Sequence, residues 1–303
     1  MPDQPLKRPE VSLIGLGPMG RPMAENLLST YGPIIVWNRS AGKAAPLASK
    51  GAIVARTPGD AAAAVTLTVL PDLMQVESLL DGADGLLAGW TAHGTESPVL
   101  VVHGTVSPVK VAEFAERMRR LHGVHVVDAP LSGGTIGAKA ASLSIMIGGE
   151  QAITERLAPL FAHLGSTVRY LGKSGSGAMA KACNQVVVAG TIAAVSESML
   201  LARTAGLDLN VVKEILQGGL ARTEVLEQKG DNWLHEDFTA GGSAKNQLKD
   251  LRFIAEAAEA NQLTLPTTAE VTRLFTQMVD NGDGELDHTG LYLTIRGAKN
   301  GPT

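Results

Sequence analysis

"VSLIGLGPMGRPMAENL", residues 11–27, decides the fold. A short β-rich run, residues 11–15, enters a glycine turn and leaves it as a helical segment, residues 19–29. Gly15, Gly17 and Gly20 form G-x-G-x-x-G across that junction. Gly15 allows the tight turn, Gly17 lets a pyrophosphate approach the backbone, and Gly20 lets the helix pack close on the strand. With Leu16, Pro18 and Met19 between them, these residues read as a phosphate site facing the N–H groups of a helix N-terminus. Glycines also end strands for purely structural reasons, so the motif takes its meaning from its surroundings.

Those surroundings alternate. β-rich runs at residues 34–37, 65–70, 99–103, 124–128, 143–147 and 167–171 are interleaved with helical segments at 72–80, 109–121 and 151–163. Such alternation predicts an α/β unit with a mostly parallel sheet. The early strands are apolar on both faces, as strands covered by helices on each side must be. From about Gly175 the β-branched pattern stops. Residues 175–204 read as one long helix, apolar or small nearly all round, and further helices are expected near 210–217, 243–261, 267–281 and 288–296. The expected fold is an α/β Rossmann-type N-terminal domain, residues 10–174, plus an all-α C-terminal domain, residues 175–303, joined by the long helix. Residues 1–9, with three prolines and little to bury, read as a flexible tail.

Composition narrows the class. The chain has 303 residues, 45% apolar, with a net charge of −4. Its lysines and arginines are scattered, which gives no electrostatic footprint for nucleic acid. A single cysteine, Cys183, excludes an internal disulfide framework and fits a reducing compartment; its helical position turns it away from Lys181 and into the expected core. Residues 1–10 hold no apolar h-region, and no run approaching roughly 20 apolar residues is read as a membrane span. A cytoplasmic protein without membrane or nucleic-acid partners is expected. The histidines form no H-E-x-x-H and none stands at ligand spacing from Cys183, so no metal is assigned.

The second strand selects the cofactor. A site for NAD wants an acid at its end to bond the ribose 2′-OH. Here the strand ends Asn38-Arg39-Ser40. An arginine there suits a 2′-phosphate, with Asn38 and Ser40 as donors beside it, so NADP, with NADPH preferred over NADH, is the expected cofactor. Leu70-Pro71 and Thr105 close later strands, at the sheet edge where doubly wound folds bind ligands.

Two further stretches bear chemistry. "GKSGSGAMAKACNQ", residues 172–185, opens the long helix and places Lys181 amid small and apolar residues, with Asn184 and Gln185 at i+3 and i+4 on its face. A lysine so placed either snorkels to solvent or stands in a cleft, where it can serve as general acid or base. "DAPLSGGTIGAKAASLSIMIGG", residues 128–149, is too rich in small residues for a mere connection and suits close approach of a ligand to backbone. On a later helix Lys245, Lys249 and Arg252 share a face; Lys245 and Arg252 read as solvated, while Lys249 lies between Leu248 and Leu251.

These blocks, with "KDLRFIAEA" at residues 249–257, resemble the β-hydroxyacid dehydrogenase family (3-hydroxyisobutyrate dehydrogenase-like) over residues 11–296. The resemblance implies hydride transfer between a nicotinamide and a small 3-hydroxy acid or its carbonyl partner. It implies that Lys181 is catalytic, supported by Asn184; that Ser132, Gly133, Gly134 and Thr135 hold a substrate carboxylate, with Gln185 nearby; and that Lys249 contacts the cofactor. "LQGGLARTEVLEQKG", residues 216–230, resembles the family's tartronate semialdehyde reductase branch. Val102-His103-Gly104-Thr105 stands where the family often has Asp-x-Ser-Thr, and Gly241-Gly242 where an aromatic is common, so 3-hydroxyisobutyrate, glyoxylate and succinic semialdehyde stay open as substrates. A cofactor-binding sensor or scaffold without turnover is the non-enzymatic alternative. The apolar long helix exceeds what a small helical domain covers alone, so a homodimer or homotetramer is expected.

Overall fold

The computed structural model describes residues 8–239 and 241–297; the expected tail at 1–9 therefore lies almost wholly outside the described residues. Strands and helices alternate as β1 (Val11–Ile14), α1 (Gly20–Thr30), β2 (Ile35–Trp37), α2 (Ala45–Ala48), β3 (Ile53–Val54), β4 (Val65–Thr68), α3 (Leu73–Glu77), α4 (Leu86–Ala92), β5 (Val99–Val102) and α5 (Pro108–His122). Then come β6 (His125–Asp128), β7 (Leu131–Ser132), α6 (Gly134–Lys139), β8 (Ser144–Gly148), α7 (Gln151–Phe161) and β9 (Thr167–Gly172). The helical part consists of α8 (Ser176–Thr204), α9 (Leu209–Gly218), α10 (Glu224–His235), α11 (Ala244–Ala260), α12 (Pro266–Met278) and α13 (Leu291–Gly297).

Six parallel strands run in the order β3-β2-β1-β4-β5-β6, and β8 continues the sheet antiparallel, flanked by β7 and β9. This is the doubly wound order, with the crossover reversing beside β1. Leu13 of β1 sits opposite Val36 of β2 and Leu67 of β4. Successive side chains on a strand point to opposite faces. Leu13 accordingly packs with Met23 and Leu27 of α1 and Phe161 of α7, while its neighbour Ile14 packs with Val111 and Phe114 of α5. Both faces are covered, so that even the polar Ser12, Thr66 and Thr68 of these strands are fully buried.

The second body has a separate core in which Ile192 and Met199 of α8, Trp233 of α10, Leu251 of α11 and Phe275 of α12 are buried together. Trp233 Nε1 donates to Ser196 Oγ at 3.0 Å, satisfying both buried polar groups.

Two expectations change, one on Cys183 and one on the apolar length of α8. The compact units divide after Lys181, and the first turn of α8 is bonded to Asp128 of β6. Cys183 is exposed: the long helix is only half covered, so a position opposite the buried face meets solvent, not core. And α8, with an 18-residue window of mean hydropathy 1.6, is long and apolar enough to cross a membrane by length and composition, although half of that window is buried inside the protein as in a core helix. Polar residues such as Lys181, Asn184 and Gln185 interrupt the apolar run near its start. Within the stretch 128–149, β7 and α6 form ahead of the strand expected at 143–147.

Candidate active site

The glycine turn has the geometry its spacing implies. Gly15 has φ +98°, and a Cβ there would come 2.5 Å from the carbonyl oxygen of Val69. A Cβ on Gly20 would lie 1.8 Å from the carbonyl oxygen of Gly15, so α1 starts in direct contact with the strand end. At Gly17 a Cβ would meet nothing within 4 Å. The space is open on the side where the backbone turns. No side chain caps α1 at Met19, and its first turn contains no acid, which leaves the positive end of the helix to an anion. These residues fit a dinucleotide pyrophosphate.

Asn38 is built into this turn. Its Oδ1 accepts from the Leu16 N–H at 2.8 Å, and its Nδ2 donates to the Ser40 carbonyl at 3.1 Å. Arg39 and Ser40, by contrast, are exposed. The end of β2 thus combines one bracing residue with two side chains available to a ligand. Next along the sheet edge, a Cβ on Gly104 would stand 2.1 Å from the Leu70 carbonyl oxygen, so the segments bearing Leu70-Pro71 and Thr105 touch.

His103, just before them, points away from this edge into the core. Its Nδ1 lies 2.7 Å from the Ala129 carbonyl, so it is the protonated nitrogen, and the ring meets Phe161 edge-on. Burial pushes its pKa down to about 4, so it is neutral in the physiological range and structural.

Beyond β6, Ser132 ends β7 half-buried, in register with Ser144 of β8. Gly133 and Gly134, at φ +121° and +61°, turn the chain into α6 and expose Thr135. The backbone conformation there is one that glycine adopts readily.

Lys181 lies on the second turn of α8 and is 8% exposed, while Asn184, one turn on, is half-buried. Gln185 is buried and donates to Asp250 Oδ2 at 2.7 Å. Its amide is thus engaged by α11. On α11, Lys249 Nζ stands 3.2 Å from Asp250 Oδ1 and 5.3 Å from the Phe253 ring centroid. Lys245 and Arg252 are exposed, as their positions predict. Among the described residues no cluster of metal-binding side chains forms.

Sequence reasoning passed over Asp128, the completely buried last residue of β6. Its Oδ1 accepts from the Gly175 N–H and its Oδ2 from the Ala178 N–H, each at 2.8 Å. Burial pushes its pKa up to about 6 against the pull of these backbone donors.

The chain is similar to known proteins over most of its length. Residues 10–172 match the NAD binding domain of 6-phosphogluconate dehydrogenase, and residues 175–295 match the domain described as NAD-binding of NADP-dependent 3-hydroxyisobutyrate dehydrogenase. The 2-hydroxy-3-oxopropionate reductase of Escherichia coli K12 is 36% identical over 296 residues, covering 94% of this chain and 97% of that protein. The 2-(hydroxymethyl)glutarate dehydrogenase of Eubacterium barkeri is 32% identical over 269 residues, with 88% of each chain covered. A solved structure of 3-hydroxyisobutyrate dehydrogenase from Salmonella typhimurium superposes with a TM-score of 0.83 at 25% identity, covering 93% of this chain and 98% of that one. The relatives share a reaction type and differ in substrate. The chain belongs to the 3-hydroxyisobutyrate dehydrogenase family of NAD(P)-dependent oxidoreductases.

Proposed function

We propose that the protein reduces tartronate semialdehyde to glycerate with NADPH. The observation that carries the chemistry is the buried lysine: Lys181, 8% exposed on the second turn of α8, followed one helical turn later by Asn184. The substrate reading is supported by the likeness to the Escherichia coli 2-hydroxy-3-oxopropionate reductase. NADPH is favoured over NADH by the exposed Arg39 and Ser40 and by the missing acid at the end of β2.

A bound reduced nicotinamide would supply hydride to the carbonyl carbon. Negative charge then grows on the carbonyl oxygen, and a proton or a cation must meet it there. Lys181, as an ammonium, does both: it attracts the developing charge and gives its proton to the oxygen, leaving the alcohol. Asn184 steadies the lysine from the same helix face. Ser132, Gly133, Gly134 and Thr135 anchor the substrate carboxylate through a hydroxyl and backbone N–H groups, fixing the distance from carboxylate to reacting carbon. Gly17 and the N-terminus of α1 hold the pyrophosphate.

Reduction of 3-oxo acids with 3-hydroxyisobutyrate as product is the second reading, favoured by the match of residues 175–295. A panel of tartronate semialdehyde, methylmalonate semialdehyde, glyoxylate and succinic semialdehyde, each with NADPH and NADH, separates these. The highest kcat/KM is expected for tartronate semialdehyde with NADPH. Absence of turnover with every member would favour the sensor or scaffold reading.

We further propose a homodimer or homotetramer. Val211 and Ile215, one turn apart on α9, are 49% and 68% exposed, and Leu220 beyond them is fully exposed. A second copy of the chain would cover this apolar face.

A further inference from the structure

Asp128 stands where the segment carrying Ser132 and the helix carrying Lys181 both begin. It is the last residue of β6 and lies four positions before Ser132. Its two carboxylate oxygens are taken by the N–H groups of Gly175 and Ala178, 47 and 50 residues further on. Helix starts are ordinarily capped by an adjacent Ser, Thr, Asp or Asn. At α8 that work is done from across the sheet.

The packing around this contact leaves no slack. A Cβ on Gly148 would lie 2.7 Å from both Asp128 oxygens and from the Gly177 nitrogen. A Cβ on Gly177 would lie 2.3 Å from the Met146 carbonyl oxygen, and one on Gly175 would lie 2.6 Å from that of Pro108. Three glycines therefore let β8, the N-terminus of α5 and the first turn of α8 close on one carboxylate. Lys181 follows Ala178 by three residues, on the same helix face and about 4.5 Å further along the axis. A rotation or shift of that first turn moves the lysine with it.

We propose that Asp128 is a positioning residue: by holding the first turn of α8 against β6 it sets where the Lys181 ammonium stands relative to the carboxylate site at Ser132. This rests on the assignment of Lys181 as the proton donor. The groups facing Asp128 are uncharged: Val102 opposite it on β5, Gly148 on β8, and the N–H groups of Gly175, Gly177 and Ala178. Its carboxylate favours the positive end of α8, and its pKa of about 6 means that mild acid weakens the clamp by protonating an acceptor.

The experiment is a double-mutant cycle on the full-length enzyme with Asp128→Asn, Lys181→Met and both, following kcat with tartronate semialdehyde and NADPH, NADPH Kd, and kcat against pH. Asn presents an N–H₂ where one N–H must find an acceptor. Asp128→Asn is expected to lower kcat by roughly 10–100-fold, as a misplaced catalytic group does, with NADPH Kd within about twofold of the parent. In the Lys181→Met background it should lower the residual rate no further, because it acts only through the lysine. The parent should lose kcat below about pH 6, and the Asn variant should lack that limb. Gly148→Ala, which crowds the carboxylate without altering its charge, should give the same split if Asp128→Asn does not fold. Losses that multiply in the double variant, or an unchanged kcat in folded Asp128→Asn, would overturn the proposal while leaving Lys181 assigned. Full activity of Lys181→Met would remove the reading beneath it, and the proposal with it.

Discussion

The backbone N–H of Leu16 donates to Asn38 Oδ1 at 2.8 Å. One side chain at the end of β2 thereby braces the glycine turn after β1, while its neighbour Arg39 remains exposed. The two residues should separate on substitution. If Arg39 holds a 2′-phosphate as proposed, Arg39→Ala removes a charge-assisted contact worth about 1.5–3 kcal/mol. NADPH affinity should fall about tenfold or more, with NADH affinity little changed. Asn38→Ala should weaken both cofactors alike. Titration of each variant by nicotinamide fluorescence checks this; an unchanged NADPH-to-NADH ratio in Arg39→Ala would remove the NADP assignment.

Gly17 and Gly20 offer a second contrast. A methyl group at Gly17 enters open space, whereas one at Gly20 lands 1.8 Å from a carbonyl oxygen. Gly17→Ala is expected to keep the thermal stability of the cofactor-free protein while weakening NADPH binding. Gly20→Ala should destabilise the fold itself by at least about 1–3 kcal/mol, the usual cost of overpacking. Melting curves with and without NADPH distinguish the two; equal Tm losses would contradict the open cradle at Gly17.

Much of the candidate site is proposed from signals that are local in sequence. Gly15, Gly17 and Gly20 lie within one turn, and Lys181 with Asn184 within one helical face. The clamp at Asp128 was not legible, since its partners Gly175 and Ala178 lie about 50 positions away and nothing beside it in sequence marks the contact. The helix α10 was missed for another reason. Gly230, Asp231 and Asn232 interrupt its helix-forming pattern, yet Thr223 caps it by accepting from the Leu226 N–H, and Glu224 and Glu227 fill its first turn. That start signal was readable. Gly241 looked like a lost aromatic position; its φ of +137°, with a Cβ that would come 1.8 Å from Asp287 Oδ2, gives it a backbone reason.

His103 makes stability depend on pH. Its pKa in the folded protein is about 4, against 6.5 for the free side chain. The folded state resists the proton, so this residue contributes stability above pH 6.5 that is lost as pH falls towards 4. Two and a half units correspond to an effect on the order of 3 kcal/mol. Relative to His103→Gln, which does not titrate, the parent should lose ground in urea unfolding between pH 7.5 and 4.5. A constant difference across that range would show that the ring is not held neutral by burial.

The exposed apolar face of α9 bears on assembly. Light scattering at micromolar concentration is expected to give the mass of a dimer or tetramer. Ile215→Lys, placing a charge in that face, should shift the distribution towards smaller species. A monomeric parent protein would count against the proposed assembly.

The central claim is that Lys181 gives the proton that completes carbonyl reduction. The most direct measurement is kcat for tartronate semialdehyde reduction by Lys181→Met, with NADPH Kd determined on the same sample. A roughly 10²–10⁴-fold fall in kcat at nearly unchanged NADPH affinity is the expected result, and Lys181→Arg should not restore the rate, because a guanidinium does not release its proton at neutral pH. Full activity in Lys181→Met would contradict the account.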